Sequence, residues 1–194
     1  MKLFLLLMSL FLTGCRDASE QPVSAPDLPQ PSLRPRRKHP LYTPDTAAIL
    51  SNKNLIRLLS AVLRDSLVEY EKASAIPPVI LAFLHQNDSL YNQPFALADY
   101  GQRYSAGCLV EKDLPRRQLR YLGVGQRTVV LTYNVGGVGV YTRVLLFEIK
   151  QNSVVDFWTD YLGNQAADKQ GIIAQLLRTK DAEWRQYSKS RLAL

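Results

Sequence analysis

Residues 128–150 read TVVLTYNVGGVGVYTRVLLFEIK and carry the strongest secondary-structure signal in the chain. β-branched and aromatic residues fill much of the first eight positions, where alternate side chains would face opposite sides of a strand. Gly136-Gly137 then favours a two-residue hairpin turn, because the backbone of such turns needs positive φ. The return strand at residues 138–149 contains the apolar run Val144–Phe147, which indicates a central strand covered on both faces.

Shorter segments with strand character flank this hairpin. Leu109-Val110 and residues 119–124 come before it and are separated by a turn around Pro115, whereas Val154–Trp158 follows the turn-forming residues 151–153. Consecutive strands joined by short connections are usually neighbours in a sheet. We therefore predict an antiparallel meander of four to five strands.

Helical patterns lie on both sides of these strands. Residues 51–72 are predicted to form one amphipathic helix, because apolar residues recur there at helical spacing. These residues are Leu55, Leu58, Leu59, Val62 and Leu63, with Val68 and Tyr70 as an extension. A short helix is predicted to begin after Pro77, and a closing helix from Ile172 extends to Trp184 or Tyr187. This order predicts an α+β fold, with N-terminal helices and a C-terminal helix packed on one face of the sheet.

The first fifteen residues, MKLFLLLMSLFLTGC, form a separate signal. Leu3–Leu12 is apolar except for Ser9, and ten residues at about 1.5 Å each are too short to cross a bilayer core of about 30 Å. A run of this length behind Lys2 fits the apolar region of a secretory signal peptide. The run ends in Leu12-Thr13-Gly14-Cys15, where two small residues precede a cysteine.

This ending resembles the lipobox of bacterial lipoproteins, which has a leucine, two small residues and a cysteine. The resemblance covers 15 of the 194 residues and implies cleavage after Gly14, so that residues 1–14 are a lipoprotein signal peptide. It also implies a diacylglycerol thioether on Cys15 and acylation of the new amino group, and two or more acyl chains anchor a protein stably. A secretory signal with a coincidental cysteine and a buried N-terminal helix are the alternatives.

The same resemblance implies a location in the cell envelope. In enterobacterial lipoproteins an aspartate after the cysteine favours retention in the inner membrane, and here Arg16 stands in that place. The outer membrane is therefore favoured if the organism has two membranes. The chain beyond the lipobox resembles no characterised family.

Residues 15–44 are predicted to be a disordered tether behind the lipid. They contain seven of the eleven prolines of the chain, and proline discourages both helix and sheet because it lacks a donor and fixes φ. A basic cluster at residues 34–38 would contact lipid headgroups or remain a solvated part of the linker. Residues 45–194 then form a single globular α+β domain.

Charge and cysteine content narrow the functional classes. The chain has 24 Lys and Arg against 17 Asp and Glu, which gives a net charge of +7, but the positive charges are scattered. Without a basic stripe and interleaved aromatics, a nucleic-acid partner is not expected. If Cys15 is lipidated, Cys108 is left as a reactive or intermolecular thiol or as a small buried hydrophobe. Its apolar neighbours Leu109 and Val110 favour burial.

No residue pattern predicts a catalytic residue, a metal site or a cofactor. The glycines within residues 123–139 lie between strands, where hairpin turns are expected instead of phosphate loops. A hydrolytic nucleophile needs a base, and His85 is the only histidine in the predicted domain. Paired carboxylates near the last hairpin could perform glycoside hydrolysis. The candidates are Glu148, Asp156 and Asp160, although carboxylates at strand ends are usually solvated.

Five residues are candidates for ligand binding. Arg116, Arg117 and Arg120 could hold a carboxylate or a phosphate through their fork geometry. Trp158 and Tyr161 could stack on sugar rings or form an interface. A solvated turn and core packing under the final helix are the respective alternatives.

These patterns together predict a membrane-anchored cell-envelope lipoprotein with a small binding or scaffolding domain of unknown ligand. Its partners would be the membrane, through the N-terminal lipid, and an envelope protein or glycan. An envelope hydrolase that uses paired carboxylates is one alternative, and a purely structural envelope component is another. A function other than catalysis is favoured.

Overall fold

Within the described part of the chain, five antiparallel strands form one sheet in sequence order. The computed structural model describes residues 42–91, 94–163, 166–182, 192 and 194. The strands are β1 (Val68–Glu69), β2 (Arg117–Val124), β3 (Thr128–Val135), β4 (Tyr141–Lys150) and β5 (Ser153–Leu162). Each strand pairs with the next one along the chain, which confirms the predicted meander.

Helices precede and follow the strands that form most of this sheet. In the described ranges they are α1 (Thr46–Leu50), α2 (Leu55–Arg64), α3 (Pro78–Asn87) and α4 (Lys169–Thr179), with a 3₁₀ turn at Ala73–Ala75. The combination confirms the predicted α+β class. The proposed extension of the last helix to Trp184 or Tyr187 lies outside the described residues, as do residues 1–41.

The centre of the sheet is the β3–β4 pair predicted from the sequence. The two strands pair without interruption, from Thr128 opposite Glu148 to Val135 opposite Tyr141. Neighbouring residues within each strand are buried, and such neighbours face opposite sides of the sheet. Both faces of this pair are therefore covered, as the run Val144–Phe147 predicts.

The turns of the two central hairpins differ from the prediction. The β3–β4 connection spans residues 136–140, so β4 begins at Tyr141 and not at Val138. A two-residue turn instead joins β4 to β5 at Gln151-Asn152, where φ is 50° and 58°. Asparagine tolerates this left-handed region, which accounts for Asn152. Gln151 adopts it as well, although it is not a residue that favours this region.

The predicted continuous helix at residues 51–72 is wrong. Asn52 has φ 56° and separates α1 from α2, and the extended backbone at Asp65 ends α2. The next ordered segment, Val68–Glu69, pairs with β2 as a strand. Residues 68–71 read VEYE, and this alternation of apolar and charged residues has the period of a strand.

The predicted strand at Leu109-Val110 is also wrong. These residues lie in the loop before β2, and the side chain of Leu109 is 89% exposed. The fifth strand of the meander is instead β1, which contributes only two residues at the edge of the sheet. A short edge strand offers few unpaired backbone groups to another chain.

Helices cover both faces of the sheet. In α3, Phe83 packs on Phe147 and Phe157, with ring centroids 5.3 and 4.7 Å apart. In α2, Arg57 contacts Glu148 and Asp156. Because consecutive strand residues face opposite sides, α2 and α3 lie on opposite faces, and the predicted packing on one face is wrong.

The C-terminal helix α4 lies beside α2 and runs antiparallel to it. Near one end, Asn52 Nδ2 donates to the carbonyl oxygen of Lys180 at 2.6 Å. Near the other end, Lys169 Nζ donates to the main-chain oxygen of Asp65 at 2.8 Å. Among the described helices, none is long and apolar enough to cross a membrane.

Candidate functional site

The structure brings together two of the three carboxylates predicted near the last hairpin. Glu148 and Asp156 are direct cross-strand partners in β4 and β5. Arg57 binds both carboxylates, and Arg127 Nη2 donates to Glu148 at 3.0 Å. Asp160 does not join them, because it is fully buried four residues further along β5.

Further donors complete the network around Asp156. Asn54 Nδ2 donates to Asp156 Oδ1 at 2.7 Å, and the Tyr42 hydroxyl lies 3.4 Å from the same oxygen. The hydrogen bond with Glu148 raises the pKa of Arg57, although burial opposes this effect, and Asp156 raises it further. The two carboxylates are therefore engaged by protein donors, which differs from the free acid that a glycosidase presents to its leaving group.

A cleft of about 510 Å³ lies beside this network. Its charged lining residues are Arg57, Arg64, Arg127, Asp65 and Glu148. Glu148 engages two of the three arginines, and Asp65 accepts hydrogen bonds from the β2–β3 turn. Glu148 thus compensates part of the positive charge, and three arginines against two carboxylates leave the lining of this cleft with a net positive charge.

Asp65 holds the β2–β3 turn against the end of α2. Its carboxylate accepts from the backbone N–H groups of Gln126, Arg127 and Thr128 at 3.3, 2.9 and 2.9 Å. The Thr128 hydroxyl donates to it as well, at 2.9 Å. Burial alone would raise the pKa of Asp65, but these hydrogen bonds lower it below its ordinary value of 3.8.

Arg117, predicted as a binding residue, is buried. Its Nη2 donates to Asp88 Oδ1 at 2.6 Å and to the main-chain oxygen of Leu194 at 3.0 Å. The guanidinium also lies over the rings of Tyr91 and Phe95, at 4.7 and 4.6 Å from their centroids. Arg117 therefore ties the start of β2 to the loop after α3, and it presents no surface to a ligand.

Trp158 is also fully buried, and its Nε1 donates to Asn52 Oδ1 at 3.2 Å. Tyr161 is half-buried and packs edge-on against Tyr141, with centroids 5.1 Å apart. The guanidinium carbon of Arg143 lies 4.7 Å from the centre of the Tyr161 ring. Both aromatic residues lie in β5 and are mainly part of the packed interior, which agrees with the core-packing alternative predicted from the sequence.

The two remaining arginines lie closer to the surface. Arg116 is half-buried, with its guanidinium 4.4 Å from the centre of the Tyr91 ring. Arg120 is half-buried and lines an open groove of about 380 Å³. Of the five candidate residues, Arg120 is therefore the one whose setting best suits contact with a ligand.

This groove, called here the Arg120 groove, lies at the β1–β2 edge of the sheet. It is lined by Glu69, Tyr70, Glu71, Tyr100, Arg120, Tyr121, Leu122 and Ala167. Tyr70 is 41% exposed and Tyr100 is 45% exposed. Burial raises the pKa of the Tyr121 hydroxyl, and the neighbouring Glu69 carboxylate raises it further.

Backbone pairing places the segments that line the Arg120 groove. Tyr70 N donates to the carbonyl oxygen of Leu122, and Tyr100 N donates to that of Glu71, both at 2.9 Å. A shift in the β2–β3 register lies between Leu119 and Tyr121. Such a bulge re-aims side chains, and it lies where Arg120, Tyr121 and Leu122 follow one another along the groove at the edge of the sheet.

Sequence reasoning missed most of the Arg120 groove. The apolar spacing predicts a helix at Tyr70, and Tyr100 lies in a loop whose path the sequence does not specify. The period-two pattern of residues 68–71 is the signal that could have placed Glu69 and Tyr70 at a sheet edge. The bulge that positions Arg120 has no comparable signal in the sequence.

An exposed apolar surface lies at the loop that joins β3 to β4. Val138 is 99% exposed, and Val140 is partly exposed. Gly137 N donates to Ala106 O at 3.1 Å and thereby joins this hairpin to the loop before β2. In that loop Cys108 is exposed, so the expectation that it is buried is wrong. Its Sγ lies 3.6 Å from the carbonyl oxygen of Gly137.

Other chemical features are sparse in the described ranges. There, no group of three or more His, Cys, Asp and Glu side chains is placed to hold a metal ion. His85 is exposed in the last turn of α3. Comparisons of the chain with protein-family models, curated proteins and solved structures gave no match.

Proposed function

We propose that this protein is an exported lipoprotein, held on a membrane of the cell envelope by lipid on Cys15, whose domain binds a ligand. The observation that carries the proposal is Leu12-Thr13-Gly14-Cys15 at the end of a short apolar run. Residues 16–44 would then connect lipid and domain. Fully extended, they would reach about 100 Å at about 3.3–3.6 Å per residue, enough for the domain to contact partners away from the anchor.

The contacts of the carboxylate pair favour binding over hydrolysis. Glycoside hydrolysis needs one carboxyl group that can protonate the leaving group and a second that acts as nucleophile or base. Here Arg57 bridges Glu148 and Asp156, and Arg127 and Asn54 take further acceptor positions. A network of this kind stabilises the β4–β5 edge and leaves little of either carboxylate free for a substrate.

The Arg120 groove favours a binding role over a purely structural one. It combines half-exposed aromatic rings with charged groups in a concave surface, which is the usual composition of a ligand site. A structural component would need no such concavity. The groove thus gives the proposed binding domain a definite surface.

Membrane fractionation of cells that produce single-cysteine variants tests the anchor. Wild type and Cys108→Ala should sediment with membranes and be released by detergent, because both retain Cys15. Cys15→Ala should move to the soluble or secreted fraction, since it cannot be lipidated. Cys108→Ala is the matched control, and an unchanged membrane fraction for Cys15→Ala would refute the anchor.

A further inference from the structure

We propose that the Arg120 groove binds an oligosaccharide that is neutral or carries amino groups. This inference deepens the proposed function, because it names the ligand class of the binding domain. Three kinds of observation carry it: the exposed tyrosine rings, the balance of charge in the groove and the way its walls are fixed.

The tyrosines provide flat apolar surfaces that are open to solvent. Tyr70 and Tyr100 are 41% and 45% exposed although they belong to a groove of about 380 Å³. This volume falls within the range of about 300–1,000 Å³ that is usual for ligand pockets. Sugar rings present C–H faces that pack on aromatic rings, and the tyrosine hydroxyl adds a polar contact at the rim.

The charged groups match hydroxyl-rich ligands. Glu69 and Glu71 are exposed carboxylates that can only accept hydrogen bonds, whereas Arg120 can only donate them. Each sugar hydroxyl can do both, so a polyhydroxylated ligand satisfies both kinds of group at once. Among the described residues, Glu71 and Arg120 form no ion pair with each other or with another side chain, which leaves their hydrogen-bonding capacity available.

The sign of the charge separates sugars from anions. Two carboxylates and one guanidinium leave the Arg120 groove negatively charged, and Coulomb repulsion would oppose a phosphate or a carboxylate ligand. This differs from the sequence-based expectation that Arg120 grips an anion. A neutral sugar meets no such repulsion, and an amino sugar would be attracted.

The walls of the groove are fixed before a ligand arrives. Glu69 pairs with Gly123 across the β1–β2 edge. The hydrogen bond from Tyr100 N to Glu71 O joins the loop that carries Tyr100 to the same edge, and the guanidinium carbon of Arg120 lies 5.8 Å from the Tyr100 ring centre. Preorganised side chains lose less conformational entropy on binding, so this arrangement suits recognition of a flexible oligosaccharide.

Titration calorimetry on the full-length Cys15→Ala chain, which is expected in the soluble or secreted fraction, tests this inference with three named probes. They are cellotetraose, chitotetraose and inorganic phosphate. At least one tetrasaccharide should bind and be recovered intact, whereas phosphate should not bind. Tyr100→Ala and Arg120→Ala should each weaken sugar binding at least about tenfold, which corresponds to about 1.4 kcal/mol.

Two matched variants control for unspecific effects of these substitutions. Tyr104→Ala removes a nearby tyrosine that does not line the groove, and Arg64→Ala removes an arginine from the other cleft. Both should bind sugar as the parent chain does. Circular dichroism checks that each variant is folded. Tyr100→Ala is expected to fold because the Tyr100 side chain is substantially exposed.

Three results would overturn the inference. These are no heat with either tetrasaccharide at millimolar concentration, preferential binding of phosphate, or equal sugar affinity in Tyr100→Ala and the parent chain. The test is independent of the anchor, because the parent chain here lacks Cys15. Loss of sugar binding would leave the membrane fractionation result standing, and an unlipidated Cys15 would leave the sugar-binding result standing.

Discussion

At the scale of single residues, the interior of this protein contains a buried ion pair. Arg117 and Asp88 are both almost fully buried and form a close ion pair. Removing one partner of a buried pair leaves the other charge without compensation, which is far more costly than the net contribution of the pair. Arg117 is therefore a structural residue in this account, whereas its neighbour Arg116 only covers the Tyr91 ring.

Substitution of Arg117 by alanine should destabilise the protein by about 3–5 kcal/mol, because Asp88 would remain buried without its cation. Urea unfolding followed by circular dichroism measures the loss. Arg116→Ala is the matched control in the adjacent position and should lose about 1 kcal/mol or less, as expected for a half-buried cation on an aromatic ring. Equal losses for the two variants would contradict the assigned role of Arg117.

Tyr133, in contrast to Arg117, carries a buried polar group that contributes little to the free energy of unfolding. Burial raises the pKa of Tyr133 to about 12, although Arg143 and Arg117 oppose this effect. Its hydroxyl has no hydrogen-bond partner among the described residues. Tyr133→Phe should therefore leave the free energy of unfolding unchanged or raise it by up to about 1 kcal/mol.

The control for Tyr133→Phe is Thr128→Val, which removes a buried hydroxyl that does donate to Asp65. Thr128→Val should lose about 1–2 kcal/mol, because the carboxylate then loses a donor. Both variants are compared with wild type by the same urea titration. A marked loss of stability in Tyr133→Phe would show that its hydroxyl is bonded after all.

At the level of secondary-structure elements, the link between the end of α2 and the β2–β3 turn depends on one carboxylate. The pKa of Asp65 is lowered in the folded state, so its contribution to stability is present above the ordinary pKa of 3.8 and is lost as pH falls through the lower folded value. Asp65→Asn should cost about 1–2 kcal/mol at pH 7, because an amide oxygen cannot replace both carboxylate oxygens.

The difference in unfolding free energy between Asp65→Asn and wild type should narrow as pH is lowered from 7 to about 3, because below the ordinary pKa of 3.8 the unfolded wild-type chain binds a proton at Asp65 that the folded protein still resists. Unfolding free energies at the two pH values measure this change. Asp45→Asn is the control, because Asp45 accepts a single N-cap hydrogen bond from Ala48 N and asparagine caps helices equally well. If the unfolding free energies of Asp65→Asn and wild type differed by the same amount at both pH values, the role of the Asp65 carboxylate in holding the β2–β3 turn would be contradicted.

The β3–β4 loop packs on the loop before β2 through a glycine. A Cβ atom at Gly136 would overlap the main-chain oxygen of Ser105, whereas one at Gly139 would meet open space. Gly136→Ala should therefore lose about 1–3 kcal/mol of stability through overpacking, and Gly139→Ala should not. Thermal unfolding of both variants checks this, and equal midpoints would show that the two loops do not pack as described.

On the scale of the whole molecule, local pattern predicts the elements better than it predicts their contacts. The alternation in residues 128–135 and the apolar run Val144–Phe147 suffice for the central hairpin, because they report burial directly. The helix prediction at residues 51–72 failed at its C-terminal end, where the spacing of apolar residues fits a strand as well as a helix. Pairing of Val68–Glu69 with β2 makes this segment a strand. Burial of Arg117 could not be predicted, since its partner Asp88 lies 29 residues away.

The candidate site was predictable only in part. Arg120 was identified by residue type, but its tyrosine and glutamate neighbours come from separate segments that meet through β1–β2 pairing and a bulge. The carboxylates Glu148 and Asp156 were correctly placed together by their strands. Their arginine partner comes from α2, and no spacing in the sequence connects Arg57 to that hairpin.

The central claim, lipid on Cys15, is tested most directly by the intact mass of the native protein extracted from membranes. The account predicts a chain that begins at Cys15 and carries the added mass of a diacylglycerol group and a further acyl chain. A chain that retains residues 1–14, begins at another residue, or has an unmodified Cys15 would contradict it.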